Sequence, residues 1–184
     1  MVRKILLTGR AGVGKTTLLI ETIKELEGRG LKVGGMISRE VRNGGVRVGF
    51  EISDLAYGQK GWLAHVEQPE GPQIGKYRVN LKDLAEIGAN AIHRAVADSA
   101  ISIIAIDEIA PMELCSDDFK AAVEKAVEAG KPLVGTIHYN ARSALIDRIK
   151  SRPDVKILEI TCDNRTYAKT AIINELSLGV EFHG

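Results

Sequence analysis

The chain has 184 residues, 45% of them hydrophobic and 27% charged, and its 25 Lys and Arg against 24 Asp and Glu leave a net charge of +1. That length and apolar share fit one domain with a sizeable core, expected to span residues 1–184. Balanced charge and a 4% aromatic content remove the electrostatic case for nucleic acid or an anionic membrane and weaken any base-stacking surface.

Val2 to Thr8 is a short apolar run that reads as a buried strand. Gly9-Arg10-Ala11-Gly12-Val13-Gly14-Lys15-Thr16 follows it, a complete G-x-x-x-x-G-K-[ST] loop. Lys15 to Arg29 then reads as a helix, with Leu19, Ile20, Ile23 and Leu26 on one face and Gly28 and Gly30 ending it. Leu31 to Ser38 is a second strand. Arg42-Asn43-Gly44-Gly45 is a hairpin turn; with Asn43 and Gly44 as its central pair, Val41 faces Val46, Ile37 faces Phe50 and Glu40 faces Arg47. The Gly- and Pro-rich stretch 54–80 is expected to extend the same sheet through short strands at Trp62–Val66 and Tyr77–Val79. Asn80 to Ala100 reads as a helix capped by Asn80. Ile101 to Ile106 is nearly all apolar, as central parallel strands are. Ser116 or Asp117 caps a helix that ends at Gly130. Lys131–Ile137 is another buried strand, Asn140–Arg152 a helix, Val155–Ile160 a last core strand, and Asp163 caps a final helix to Leu178. Strands alternating with helices imply an α/β fold, a mostly parallel sheet flanked by helices, with an antiparallel hairpin extension. Cys115 and Cys162 lie too far apart for a zinc pattern or a disulfide framework. No stretch approaches the ~18 apolar residues of a membrane span, and the first apolar run enters the glycine loop directly, unlike a signal peptide. A cytoplasmic setting is expected.

The chemistry concentrates in two motifs. In the loop, the glycines let backbone N–H groups turn inward around phosphate oxygens, and the helix N-terminus adds partial positive charge. Lys15 is placed to reach the β- and γ-phosphates, Thr16 to hold Mg²⁺, and Thr17 completes the binding run. The second motif is Asp107-Glu108, at the end of a hydrophobic strand. Asp107 suits a Mg²⁺ site built from hard oxygen ligands, and a carboxylate directly after it, Glu108, can orient and deprotonate a water. The chain lacks the Asp-x-x-Gly and Asn-Lys-x-Asp patterns of guanine-specific switches. If the 132–137 strand lies between the two motif strands, Thr136 or His138 can face the γ-phosphate or hold the water. Arg10, Arg39, Arg142, Arg148 and Arg152 are all candidates for stabilising transition-state charge, and Arg165 can stack on a base through its guanidinium plane. The expected activity is hydrolysis of a nucleoside triphosphate with water as acceptor; a nucleotide or polynucleotide kinase and a nucleotide-dependent switch are the alternatives from other classes.

Taken together, Gly9 to Thr17, the run Ile106-Asp107-Glu108-Ile109-Ala110-Pro111-Met112-Glu113-Leu114, Arg39 to Arg42 with Arg47 to Phe50, Gly135-Thr136-Ile137 and Asn164-Arg165 resemble the THEP1-type nucleoside-triphosphatases over nearly the whole chain. The resemblance implies a small P-loop NTPase domain with a RecA-like sheet and Mg²⁺-dependent hydrolysis with weak base preference. One position departs from the family pattern: Ala110 stands where a glycine is usual. It can present the same backbone N–H only if φ there is negative.

Overall fold

The computed structural model describes residues 4–178; Val2 and Arg3, at the start of the first predicted strand, lie outside the described residues. In chain order the elements are β1 (Lys4–Thr8), α1 (Lys15–Gly28), β2 (Val33–Asn43), β3 (Val46–Asp54), β4 (Lys60–His65), β5 (Gln73–Ile74), β6 (Tyr77–Val79), α2 (Leu81–Asp83), a π-helical turn (Leu84–Ala89), α3 (Asn90–Ala97), β7 (Ile103–Ile109), a 3₁₀ turn (Glu113–Cys115), α4 (Asp117–Glu128), β8 (Leu133–Ile137), α5 (Ala144–Lys150), β9 (Val155–Glu159) and α6 (Arg165–Ser177). Among the described residues, all the strands join one sheet in the order β5-β6-β4-β3-β2-β7-β8-β1-β9. From β2 to β9 the neighbours are parallel; from β2 outward to β5 they are antiparallel. The expected α/β architecture with its hairpin extension is therefore present, and β8 does lie between the two motif strands β1 and β7.

The parallel strands are apolar because both faces are covered. From Ile103 to Ile106, successive β7 residues point to opposite faces. Ile104 and Ile106 join Phe119, Ile92 and Ile146 on the side of α3, α4 and α5. Ile103 and Ala105 join Leu19, Ile23 and Ile172 on the side of α1 and α6. Each of the Ile, Leu and Phe side chains contributes about 1.5–3 kcal/mol of burial. No helix among the described residues is long and apolar enough to cross a membrane.

Several elements differ from the sequence expectation. The hairpin pairs Asn43 with Val46 and Arg42 with Arg47, with a bulge between Val41 and Arg42. Its central residues are Gly44 and Gly45, at φ 55 and 82, the two positive values a type I′ turn needs. Ile37 therefore faces Ser53 and Val41 faces Gly49. The Glu40–Arg47 ion pair forms even so, at 3.0 Å. β2 runs on without a break into the hairpin. The 80–100 helix starts as predicted, with the Asn80 side chain accepting from the Asp83 N–H, but it contains the π-helical turn and stops at Ala97. Ser116 caps α4 through the N–H of Phe119. The 140–152 helix begins only at Ala144, capped by Ser143, which frees residues 138–143 as a loop. β9 is an edge strand of half-exposed residues rather than a core strand. Asp163 caps nothing: the N-cap position of α6 is Asn164, whose side chain accepts from the Thr161 N–H and donates to the Glu159 carbonyl.

Candidate active site

The site forms at the carboxyl edge of β1, β8 and β7. The loop leaves β1 at Gly9 (φ 140) and enters α1 at Gly14 (φ 95), two backbone conformations that favour glycine. Lys15 Nζ folds back over the loop and donates to the carbonyls of Gly9 at 3.0 Å and Arg10 at 3.3 Å. On the next residue of α1, Thr16 Oγ1 lies 3.0 Å from Asp107 Oδ2. This contact joins the two motifs across 91 residues of sequence.

β7 is squeezed just below Asp107. A Cβ on Gly35 of β2 would lie 2.0 Å from the Ala105 carbonyl oxygen, and one on Gly135 of β8 would lie 2.4 Å from that of Ile106. Glycine on both flanks lets the neighbouring strands close on β7 where the acid emerges. β7 also runs to Ile109, so Asp107 and Glu108 are both strand residues. Asp107 is buried. Burial pushes its carboxyl up, opposed by the hydroxyls of Thr136 and Thr16, by Lys15 and by the Ser38 N–H. Glu108 is partly exposed; burial and then the Asp107 charge raise it to about 7, against Lys15. Glu113, five residues on, is fully buried, and burial holds its carboxyl well above the usual range, with Glu108 and Asp107 adding to the effect.

A cleft of about 740 Å³ opens over these groups. Gly9 to Gly12, Gly14 to Thr17, Glu108 and the stretch His138-Tyr139-Asn140 line it. Of the predicted binding run, Val13 instead packs against the core beneath. Thr136 does not line the cleft. It is buried and its hydroxyl donates to Asp107, so the expectation that it faces the γ-phosphate gives way to a place behind the acid. Arg165 does not line this cleft but stands against the loop, its guanidinium 3.0 Å from where a Cβ on Gly14 would be. It borders a separate hollow with Leu18, Glu21, Cys162, Thr166 and Lys169. Of the candidate arginines, Arg10 lines the cleft. Arg148 is engaged by Glu124 and Arg152 by Asp154; Arg39 is exposed opposite Glu51. Among the described residues no residue other than glycine has positive φ. Ala110 therefore takes a backbone conformation open to any residue, and the departure from glycine strains nothing. Tyr139 and Asn140 were not anticipated: they lie in a loop without periodicity, and the signal that could have found them is only their place directly after the strand that carries Thr136.

A glycine loop on β1, an acid pair on β7 and one strand between them define a P-loop NTPase architecture. The sequence matches the NTPase family over residues 4–173. It is 44% identical to the nucleoside-triphosphatase THEP1 of Thermofilum pendens, covering 95% of this chain and 96% of that one. It is 42% identical to the nucleoside-triphosphatase THEP1 of Methanosarcina acetivorans, covering 93% and 95%. The crystal structure of THEP1 from the hyperthermophile Aquifex aeolicus superposes with a TM-score of 0.80 at 30% identity, over 94% of this chain and 98% of that one. The solution structure of a human cancer-related nucleoside triphosphatase gives 0.82 at 32% identity, over 98% and 100%. The chain belongs to the THEP1 family of nucleoside-triphosphatases.

Proposed function

We propose that the chain hydrolyses ATP, GTP and other nucleoside triphosphates to the diphosphate and phosphate, with Mg²⁺ and with little regard for the base. The observation that carries this reading is the convergence of Lys15, the Thr16–Asp107 pair and Glu108 on one cleft. Loop amides and Lys15 hold the β- and γ-phosphates. Thr16 and Asp107 supply two hard oxygen donors, which fits Mg²⁺, a cation that takes few protein ligands and keeps phosphate oxygens and waters. When bound, the ion neutralises charge developing on the β- and γ-oxygens. Glu108 orients a water and accepts its proton as the oxygen attacks the γ-phosphorus; the bond from that phosphorus to the bridging oxygen breaks, and the oxygen keeps the electron pair and leaves as part of the diphosphate. A carboxyl near 7 is well matched to that task at neutral pH. Thr136 supports Asp107, and Arg165 offers any base the same flat cation.

The test is phosphate release from ATP, GTP, CTP and UTP with Mg²⁺ and no added acceptor. Release from all four is expected. Lys15→Ala should abolish it together with nucleotide affinity. Glu108→Gln should keep affinity and lose about 10²–10⁴-fold in turnover. Turnover that requires a hydroxyl acceptor would replace this reading with a kinase, and undiminished turnover in Glu108→Gln would remove the role given to that residue.

A further inference from the structure

The end of β7 that carries the acid pair departs from a regular ladder. Its pairing with β8 sets Ile106 opposite Gly135 and resumes only at Ile109, opposite Ile137, so Asp107 and Glu108 together stand against the single residue Thr136. Pairing with β2 stops at Ile106, and the Ser38 N–H beyond it turns to the Asp107 carboxyl. A bulge of this kind re-aims a side chain, but the backbone groups it takes out of the ladder need partners elsewhere. For the Glu108 N–H that partner is a side chain. The carboxyl of Glu113 accepts from it, and also from the N–H of Glu113 itself. Glu113 is 3% exposed and opens the 3₁₀ turn before α4. Within that turn the Leu114 N–H donates to the Ala110 carbonyl at 3.0 Å and the Ser116 N–H to the Glu113 carbonyl at 3.1 Å, so the carboxyl stands on a fixed base. Its Oε2 is buried and has no hydrogen-bond partner among the described residues. A buried carboxyl with an unpaired oxygen costs stability. Met112 and Leu114 beside it pack against the core, so an apolar side chain would serve packing better.

We propose that Glu113 is a positioning residue: by holding the Glu108 N–H, its carboxyl fixes the bulge and with it the direction in which the Glu108 side chain meets the attacking water. The inference rests on the reading of Glu108 as the group that takes the proton of that water. The two acids of the pair are aimed by different means. The Asp107 carboxyl is held by the hydroxyls of Thr16 and Thr136. The Glu108 carboxyl, which lines the cleft, feels the charges of Asp107 and Lys15 but accepts no hydrogen bond from a side chain among the described residues. Its aim therefore comes from its backbone, and the Glu113 carboxyl is what holds that backbone. Burial holds the Glu113 carboxyl towards its neutral form, which a glutamine matches in shape and in its accepting oxygen.

The measurement is single-turnover phosphate release, with affinity for a non-hydrolysable triphosphate analogue, both with Mg²⁺. It compares wild type, Glu113→Gln and Glu113→Met, each also in a Glu108→Gln background. Glu113→Met should bind the analogue as wild type does and lose about 10- to 100-fold in turnover, the scale of a reacting group misplaced by about 1 Å. Glu113→Gln should keep most of the turnover. Added to Glu108→Gln, Glu113→Met should cost little more, because two changes that act through one group are not additive. The amide proton of Glu108 reports the bond itself: its NMR signal should move upfield in Glu113→Met and stay near its place in Glu113→Gln. Wild-type turnover in Glu113→Met, an equal loss in Glu113→Gln, or an undiminished further loss in the Glu108→Gln background would overturn the assignment. If Glu113→Met does not fold, Glu113→Asp takes its place with the same expectations, since it withdraws the carboxyl by one methylene and stays polar. Undiminished turnover in Glu108→Gln alone would instead remove the role of Glu108, and with it the reason for holding its backbone.

Discussion

The hydroxyls of Thr16 and Thr136 reach Asp107 from two different elements, α1 and β8. A buried carboxyl is costly unless its oxygens are hydrogen-bonded, and here the two threonines share that work. Thr136→Val keeps the volume and removes the hydroxyl. It should lower stability by about 1–3 kcal/mol, the cost of leaving a buried polar partner unsatisfied, as measured by urea unfolding without nucleotide. It should also raise the Mg²⁺ concentration needed for half-maximal phosphate release, because Asp107 loses its aim, while turnover at saturating Mg²⁺ stays near wild type. A fall in turnover at every Mg²⁺ level, with the metal requirement unmoved, would instead put Thr136 on the phosphate. The grouping of Lys15, Thr16, Asp107 and Glu108 is legible in the sequence because each sits at a fixed spacing within its motif. The position of Thr136 is not. It depends on the register of β8 against β7, which pairs Gly135 with Ile106, and a register between elements leaves no local trace.

The elements show the same division. Apolar runs located the central strands and the core-facing helices, since periodicity reports burial directly. The hairpin register slipped because Asn43-Gly44 and Gly44-Gly45 are equally good turn centres, and only the bulge beside Arg42 decides between them. β9 reads as core because its run is apolar, yet among the described residues nothing pairs beyond it. What holds β9 instead includes a charged clamp at its start. Asp154 accepts from Lys4 Nζ of β1 at 2.8 Å and from both Nε and Nη2 of Arg152 at 2.9 and 3.0 Å. Arg152 first, then Lys4, hold the Asp154 carboxyl well below the usual carboxylate range. A folded pKa below the unfolded one means that the unfolded chain takes up the proton first as pH falls. The contribution is then complete above pH ~4, the unfolded value, and is lost progressively below it. Because Asp154 is partly exposed, Asp154→Asn should cost only on the order of 1 kcal/mol at pH 7. Urea unfolding of the two proteins from pH 7 down to pH 3 should show that gap constant until about pH 4 and narrowing below. A gap that is absent at pH 7, or that widens in acid, would remove the clamp.

At the scale of the whole molecule, the open question is whether the 54–80 extension belongs to the same cooperative unit as the site. Its packing argues that it does. Leu63, Tyr77 and Val79 of the extension lie in one continuous core with Ile92, Ile106 and Phe119, so no layer of solvent separates the two parts. Polar ties cross the same boundary: the Trp62 N–H donates to Asp83 at 2.8 Å, Arg47 Nε donates to Tyr77 Oη at 2.8 Å, and Arg94 of α3 binds the buried Asp54 at the end of β3. Unfolding the extension alone would expose the inner face of that core and leave Asp54 unpaired, while the parallel sheet would gain nothing. The chain supplies its own reporter. Trp62 is its single tryptophan and stands on β4, with its ring 4.5 Å from that of His65. Far-UV circular dichroism, by contrast, is dominated by the helices that cover the parallel strands. In a urea titration the fluorescence and dichroism transitions should superpose, as they do when one cooperative unit unfolds. A fluorescence midpoint at clearly lower urea would mean that the extension melts first, as a separate unit docked on the nucleotide-binding sheet. Superposition would be consistent with the same network of contacts supporting both the extension and the strand edge that carries Asp107 and Glu108.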